Sequence, residues 1–215
     1  MQHCIGLQAE LSSFNVRQES RTERNKREVR GRILAAAGRL FVESGVEATK
    51  IEVICDEADI AVRTFFNHFP SKRDVVHRLG IDATTEVAAR IRAAGQRGHS
   101  TRERLTLFFA DSIELSLLRG RPHPELLAAL AAVLFGSSDL QAARDAMIEL
   151  LGEGVAAGDV TDAYPLETLA DAVIGTFYRI IIDWANQDDY AIGEQLESAC
   201  RFLCDSVTSG SRTND

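Results

Sequence analysis

The sequence predicts an all-α fold in which a small three-helix N-terminal unit precedes a larger helical one. Three observations carry this expectation. Only four Pro interrupt 215 residues. Apolar residues recur at three- and four-residue spacing from about Asn25 onward, and no segment alternates in the way a half-buried strand does. The apolar fraction, 45%, is ample for a core, and the length suits a small domain joined to a medium one.

Taken in order, residues 1–24 show no dependable period and read as a flexible N-terminal arm. Val29, Ile33, Ala37, Leu40 and Phe41 then mark one face of a first helix, and Gly45 stands where a helix commonly stops. Thr49 and Glu52 have the spacing of a capping box, with Thr49 capping a second helix and Glu52 reaching back. That helix extends to about Ala58, burying Ile51, Ile54 and Ala58. A break at Asp59-Ile60 leads to a short third helix over 61–67. Ser71 and Asp74 form a second capping box opening a helix from Lys72 to about Ala94, before Gly95 and Gly98. Further helices are expected from Ser100 to Arg119, over Glu125–Phe135, from Ser138 to Ala157, and over about 166–186 and 190–207. Pro165 takes a first-turn position, where its missing N–H costs nothing. The polar residues 209–215 read as a disordered tail. The division is therefore 1–24, 25–71, 72–208 and 209–215.

The formal charge of -8 is unevenly distributed. Residues 1–80 hold 13 basic and 11 acidic side chains, residues 81–215 hold 11 and 21, and the stretch 17–39 carries eight basic against three acidic. Phosphate binding follows local rather than total charge, so the N-terminal part is the candidate polyanion binder. The cysteines at 4, 55, 200 and 204 make no secreted framework. Cys200 and Cys204 lie one turn apart with no neighbouring His or Cys to complete a zinc site, so they read as small buried apolar side chains. No apolar run is long enough to span a bilayer. The first twenty residues lack the basic start and apolar stretch of a secretion signal. The expectation is a cytoplasmic protein that does not engage membranes.

The segment Thr49–Lys72, TKIEVICDEADIAVRTFFNHFPSK, is the most informative. It places a capped helix start at Thr49 and another at Ser71-Lys72, both suited to phosphate. Between them lies a short helix with Arg63, Thr64 and Asn67 available for contact, held on the domain by Phe65 and Phe69. Two phosphate clamps flanking a short polar helix are the layout for placing that helix in a major groove.

From Asn25 to about Leu79 the chain resembles the DNA-binding domain of TetR-type regulators. The residues that carry the likeness are Leu40-Phe41 with Gly45, Thr49, Ala58-Asp59-Ile60, and the run Thr64-Phe65-Phe66-Asn67-His68-Phe69-Pro70-Ser71-Lys72. The resemblance implies that Thr49, His68 and Lys72 bind phosphate, that Lys50 lies near the DNA backbone, and that Arg63 and Thr64 reach base edges. Phe66 stands where the family usually has Tyr; it lies against the backbone without a hydroxyl to offer. Asp59 replaces the usual turn Gly, tolerating a left-handed conformation at some cost. Ala61 replaces a common Ser cap, forfeiting about 1 kcal/mol.

The same resemblance implies a small-molecule cavity among the middle helices, a homodimer through the last two helices, and a near-palindromic double-stranded operator. Candidate ligand contacts are Phe108, Phe109, Ser112, Leu127, Leu130, Met147, Leu151, Phe177, Tyr178 and Ile181, with Ser112, Tyr178 and Arg179 as orienting polar groups. The sparse polar content points to an apolar effector and to no metal or other cofactor. The apolar faces Leu169, Val173, Phe177, Ile180, Ile181 and Trp184, and Ile192, Leu196, Cys200, Leu203 and Val207, are expected to meet a second copy. The function implied is a ligand-released repressor. An enzyme is disfavoured, since no phosphate loop, zinc spacing, nucleophile elbow or credible carboxylate pair occurs. The other alternative is a helical dimeric adaptor or small-molecule-binding protein without DNA binding.

Overall fold

The computed structural model describes residues 20–134 and 141–208. Among them are nine helices: α1 (Arg21–Ser44), α2 (Ile51–Glu57), α3 (Val62–His68), α4 (Lys72–Arg97), α5 (Thr101–Arg119), α6 (Pro124–Leu134), α7 (Ala142–Ala157), α8 (Leu166–Asn186) and α9 (Ile192–Val207). The all-α expectation therefore holds, the only extended pairing described being an isolated bridge between Val160 and Thr208. No described helix is long and apolar enough to cross a membrane. The arm before residue 20, the break at 136–138 with its Ser138 cap, and the tail after 208 lie outside the described residues.

Several boundaries differ from the sequence reading for identifiable reasons. Helix α1 starts at Arg21 because Ser20 caps it, its Oγ accepting from the Glu23 N–H at 3.1 Å. Helix α4 continues through Gly95 to Arg97, stopping at Gly98; a glycine inside a helix costs only about 1 kcal/mol, which the buried face of α4 offsets. The Ser71 and Ser100 caps form as expected, Oγ accepting from the N–H of Asp74 and Glu103. The Glu103 carboxylate reaches back to the His99 N–H at 2.8 Å. Pro165 occupies the N-cap of α8 rather than its first turn.

Burial organises the chain into two apolar clusters. The head cluster joins Ile33 and Phe41 of α1, Ile54 of α2, Phe65 and Phe69, and Val75 and Val76 of α4. It also takes in Leu126 and Leu130 of α6, some fifty residues further on. The body cluster gathers Val87 and Ile91 of α4 with the inner faces of α5, α7, α8 and α9. Helices α4 and α6 thus contribute to the head as well as to what surrounds it, and apolar packing does not stop at residue 71.

The dimer expectation needs a correction at the residue level. Leu169, Val173, Phe177 and Ile180 of α8 and Ile192, Leu196, Cys200, Leu203 and Val207 of α9 are all buried within the single chain. Ile181 and Trp184 are half-buried against the same core. The final helices find their apolar partners on α5 and α7 and on each other. Their strong amphipathicity reflects the body core. What they leave outward includes Ala172 and Gly175 of α8 and Phe202 of α9, the last 67% exposed.

Candidate nucleic-acid interface and effector pocket

The helix-turn-helix is α2, the turn Ala58–Ala61, and α3. Asp59 is the one described non-glycine residue with positive φ, at 51°. Around it the Asp59 N–H donates to the Asp56 carbonyl at 3.2 Å and the Ile60 N–H to the Cys55 carbonyl at 3.0 Å. These two bonds define a Schellman stop, with aspartate in the left-handed position that glycine usually takes. Arg32 of α1 braces the turn, its Nη1 3.7 Å from the Asp59 carboxylate and 3.5 Å from the Asp59 carbonyl. Arg39 similarly pairs with Glu57 at 2.7 Å, and the Arg30 guanidinium sits 4.5 Å over the Phe69 ring. Part of the basic stretch of α1 therefore neutralises and positions the recognition unit.

Helix α3 is anchored by Phe65 and Phe69, both essentially inaccessible to solvent. Arg63, Phe66 and Asn67 are exposed, while Thr64 and His68 are half-buried. Spacings of three and four residues place Arg63, Phe66 and Asn67 on one outward face. Phe66 is 49% exposed, a large apolar side chain left in water beside two polar ones. Ala61 caps α3 without any side-chain hydrogen bond, as its identity requires.

Two of the anticipated phosphate ligands are engaged inside the protein. Thr49 is buried, and its hydroxyl donates to the Gly45 carbonyl at 2.7 Å. It does not cap α2. That position falls to Lys50, which is exposed and makes no side-chain cap, so the Thr49–Glu52 capping box does not form. The Lys72 ammonium donates to the carbonyls of Val46 at 2.5 Å, Thr49 at 3.0 Å and Glu47 at 3.2 Å. An ammonium has three protons, and these three acceptors account for them. Lys72 ties the start of α4 to the α1–α2 turn.

A cavity of about 290 Å³ opens between α4, α5, α6 and α8, with Val42 of α1 on its rim. Of the expected ligand contacts, Ser112, Leu127, Leu130, Phe177, Tyr178 and Ile181 line it. Phe108, Phe109, Met147 and Leu151 do not; they are solidly buried in the body cluster, where Phe108 and Phe109 stack edge-on, centroids 5.2 Å apart. Periodicity cannot separate a side chain facing a void from one facing a neighbour, and all ten share the inward faces. Ser112 donates to the Phe108 carbonyl at 2.8 Å, and Arg179 pairs with Asp183 away from the cavity wall. The polar groups that sequence reading missed are Arg90, Glu86 and Arg119. Arg119 grips Glu86 with two bonds of 2.7 and 2.9 Å, which holds the Glu86 carboxyl below its ordinary pKa. The signal for Glu86 and Arg90 is a charged pair at i and i+4 beside the apolar stripe of α4; Arg119, at the end of α5, carries no such local signal. No group of His, Cys, Asp or Glu among the described residues could hold a metal ion; Cys200 and Cys204 are buried with sulfurs 4.0 Å apart.

A helix-turn-helix head joined to a helical body with a largely apolar cavity is the arrangement of a DNA-binding regulator. Residues 33–79 match the family model of bacterial regulatory proteins, tetR family. The chain is 28% identical over 186 residues to the HTH-type transcriptional repressor KstR of Rhodococcus jostii, across 83% of this chain and 84% of that protein. It shares its fold with Thermus thermophilus FadR, a repressor solved with lauroyl-CoA (TM-score 0.62, 22% identity, 86% of this chain and 98% of that one). RolR in complex with resorcinol is similar too (TM-score 0.63, 19% identity, 86% and 89%). Residues 33–79 thus carry the signature of the tetR family, and the Rhodococcus relative matched along most of the chain is named as a transcriptional repressor.

Proposed function

We propose that this regulator is a repressor that binds a near-palindromic operator as a homodimer and is released by a small effector with a predominantly apolar body. The observation that carries the DNA half is the construction of α3. Two buried phenylalanines hold it, and Arg63, Phe66 and Asn67 face outward with no ion pair described for Arg63. Arg63 and Thr64 read base edges in the major groove, Phe66 and Asn67 lie along the strand, and Lys50 and His68 approach phosphates. The repressor name of the Rhodococcus relative supports the sign of the regulation. The dimer would form through the outward residues of α8 and α9, Ala172, Gly175 and Phe202 among them, in place of the apolar faces that the chain buries itself. In this reading residues 25–71 read DNA and 72–208 sense ligand and dimerise, within the cytoplasm.

The cavity supports the sensing half, since it is lined mainly by apolar side chains with a few convergent polar ones. Relatives of the same fold are bound to lauroyl-CoA and to resorcinol. Coupling to the head has two mechanical routes. Helix α4 supplies Gly80, Ala83 and Val87 to the cavity and Lys72 to the α1–α2 turn. Helix α6 supplies Leu127 and Leu130 to the cavity while Leu126 and Leu130 sit in the head core. A ligand that prefers one placement of these helices shifts the population of DNA-competent heads by its differential affinity. Selection from a random duplex pool with the purified protein tests the proposal. Enrichment of an inverted repeat bound by two copies is expected, and recovery of no sequence preference would contradict it.

A further inference from the structure

We propose that the effector is an amphiphile with an anionic, hydrogen-bond-accepting head, in the simplest case a carboxylate, seated between Arg90 and Tyr178. The inference rests on the cavity being the effector site and names the chemistry that site selects.

Two buried polar groups on the cavity wall have nothing to bond to among the described residues. The Tyr178 hydroxyl is inaccessible to solvent and has no hydrogen-bond partner, and the same holds for Nε and Nη1 of Arg90. Buried donors are almost always satisfied in folded proteins, and leaving one unpaired is costly. Two such groups on one wall are the mark of a site completed by something else.

Local charge decides what that something is. Glu86 is the acid nearest Arg90, with 3.4 Å between Oε1 and Nη1, but no hydrogen bond forms. Both Glu86 oxygens instead accept from Arg119. Asp111, the other acid acting on Arg90, is held by Arg97 at 2.7 Å. Glu86 is thus one carboxylate shared between two guanidiniums, which leaves the Arg90–Glu86–Arg119 cluster with a net positive charge in a largely apolar cavity, and a guanidinium cannot shed its proton there. A neutral carbonyl or hydroxyl would satisfy the donors and leave that charge unbalanced in a poorly solvating site. An ionised carboxylate accepts from both side chains and supplies the missing charge. Tyr178 remains a phenol and therefore a donor at neutral pH, since burial pushes its pKa up to about 12.

The rest of the wall specifies the tail. Val87, Leu127, Leu130, Phe177 and Ile181 offer no hydrogen-bonding side chains. A volume of about 290 Å³ lies at the small end of ligand pockets, which span about 300–1,000 Å³. The body it accepts is one medium alkyl chain or a fused pair of rings.

Matched probes separate head from tail: dodecanoate against dodecanol, and 2-naphthylacetate against 2-naphthylethanol, titrated calorimetrically into the full-length protein. In at least one pair the carboxylate should bind about tenfold or more tighter than its alcohol. Arg90→Met should bring that ratio to about one while leaving alcohol affinity within about threefold, which also shows that the variant's cavity is intact. Tyr178→Phe should weaken the carboxylate by several-fold. Alcohols binding as well as acids to the unmodified protein, or a preference that survives Arg90→Met, would overturn the anionic head and leave the cavity as an effector site. Failure of all four probes to bind would count against both readings.

Discussion

The ammonium of Lys72, the first residue of α4, lies 2.5 Å from the carbonyl oxygen of Val46 in the turn between α1 and α2. With the Glu47 and Thr49 carbonyls beside it, this makes the helix that walls the cavity the clasp that closes the helix-turn-helix head. About 14 residues of α4 separate Lys72 from Glu86, a lever of roughly 21 Å at 1.5 Å per residue. In the proposed coupling, a displacement of α4 at the cavity would reach the turn that leads into α2 through these contacts.

Lys72→Met should therefore act as a stability mutation. Loss of the bonds from a half-buried ammonium is expected to cost about 1.5–3 kcal/mol, read by chemical denaturation. DNA affinity should fall on all sequences because the head loosens, with the slope of log affinity against log salt unchanged. A slope reduced by about one would instead return Lys72 to the phosphate role that the motif implied.

The turn and cap of the recognition unit carry two correctable weaknesses. Ala61→Ser supplies the missing cap of α3 and should add about 1 kcal/mol, raising Tm by roughly 2–4 °C. Asp59→Gly relieves the left-handed aspartate at φ 51° but gives up the exposed Arg32 contact. Its net gain should be smaller, below about 1 kcal/mol. A larger gain from Asp59→Gly than from Ala61→Ser would reverse this ranking.

Gly154 of α7 faces a knot that leaves no room for a side chain. A Cβ there would strike Thr101 Oγ1 and come within 2.5 Å of Val160 Cγ2 and 2.8 Å of Asp159 Oδ1. Thr101 already donates to Asp159 twice, from N–H and hydroxyl, each at 2.7 Å. Gly154→Ala should destabilise by about 1–3 kcal/mol, although helix propensity alone favours alanine by about 1 kcal/mol. A rise in Tm would show that the contact yields more easily than the geometry implies.

Leu126 tests whether α6 belongs to the head. It is 7% exposed and packed with α1–α4 side chains. Leu126→Ala should cost about 2–5 kcal/mol and accelerate amide exchange in α1. A loss under about 0.5 kcal/mol, with α1 exchange unchanged, would detach α6 from the head core.

The helices and the recognition motif were legible because they depend on local chemistry. The Ser71 and Ser100 caps, the left-handed Asp59, the buried Phe65 and Phe69 and the exposed Arg63 all follow from spacing within one or two turns. The failures are long-range. Thr49 has the right spacing to Glu52 for a cap, but its hydroxyl finds the Gly45 carbonyl, and Lys72 finds carbonyls some 23–26 residues away. Leu126 reads as an ordinary inward leucine, and nothing local says that it crosses into the head. Phe108 and Met147 look like Phe177 and Ile181 in sequence, since all are apolar and inward; only packing shows which pair faces a void. The apolar faces of α8 and α9 were legible as faces, while the surface they cover was not.

The central claim, that the outward face of α3 reads DNA sequence, is tested most directly by fluorescence anisotropy of the unmodified protein and of Arg63→Ala. Both are titrated at one salt concentration against the selected duplex and against a scrambled one. The account predicts a loss of about 1–3 kcal/mol on the selected duplex and little change on the scrambled one. Equal losses on both duplexes would contradict it.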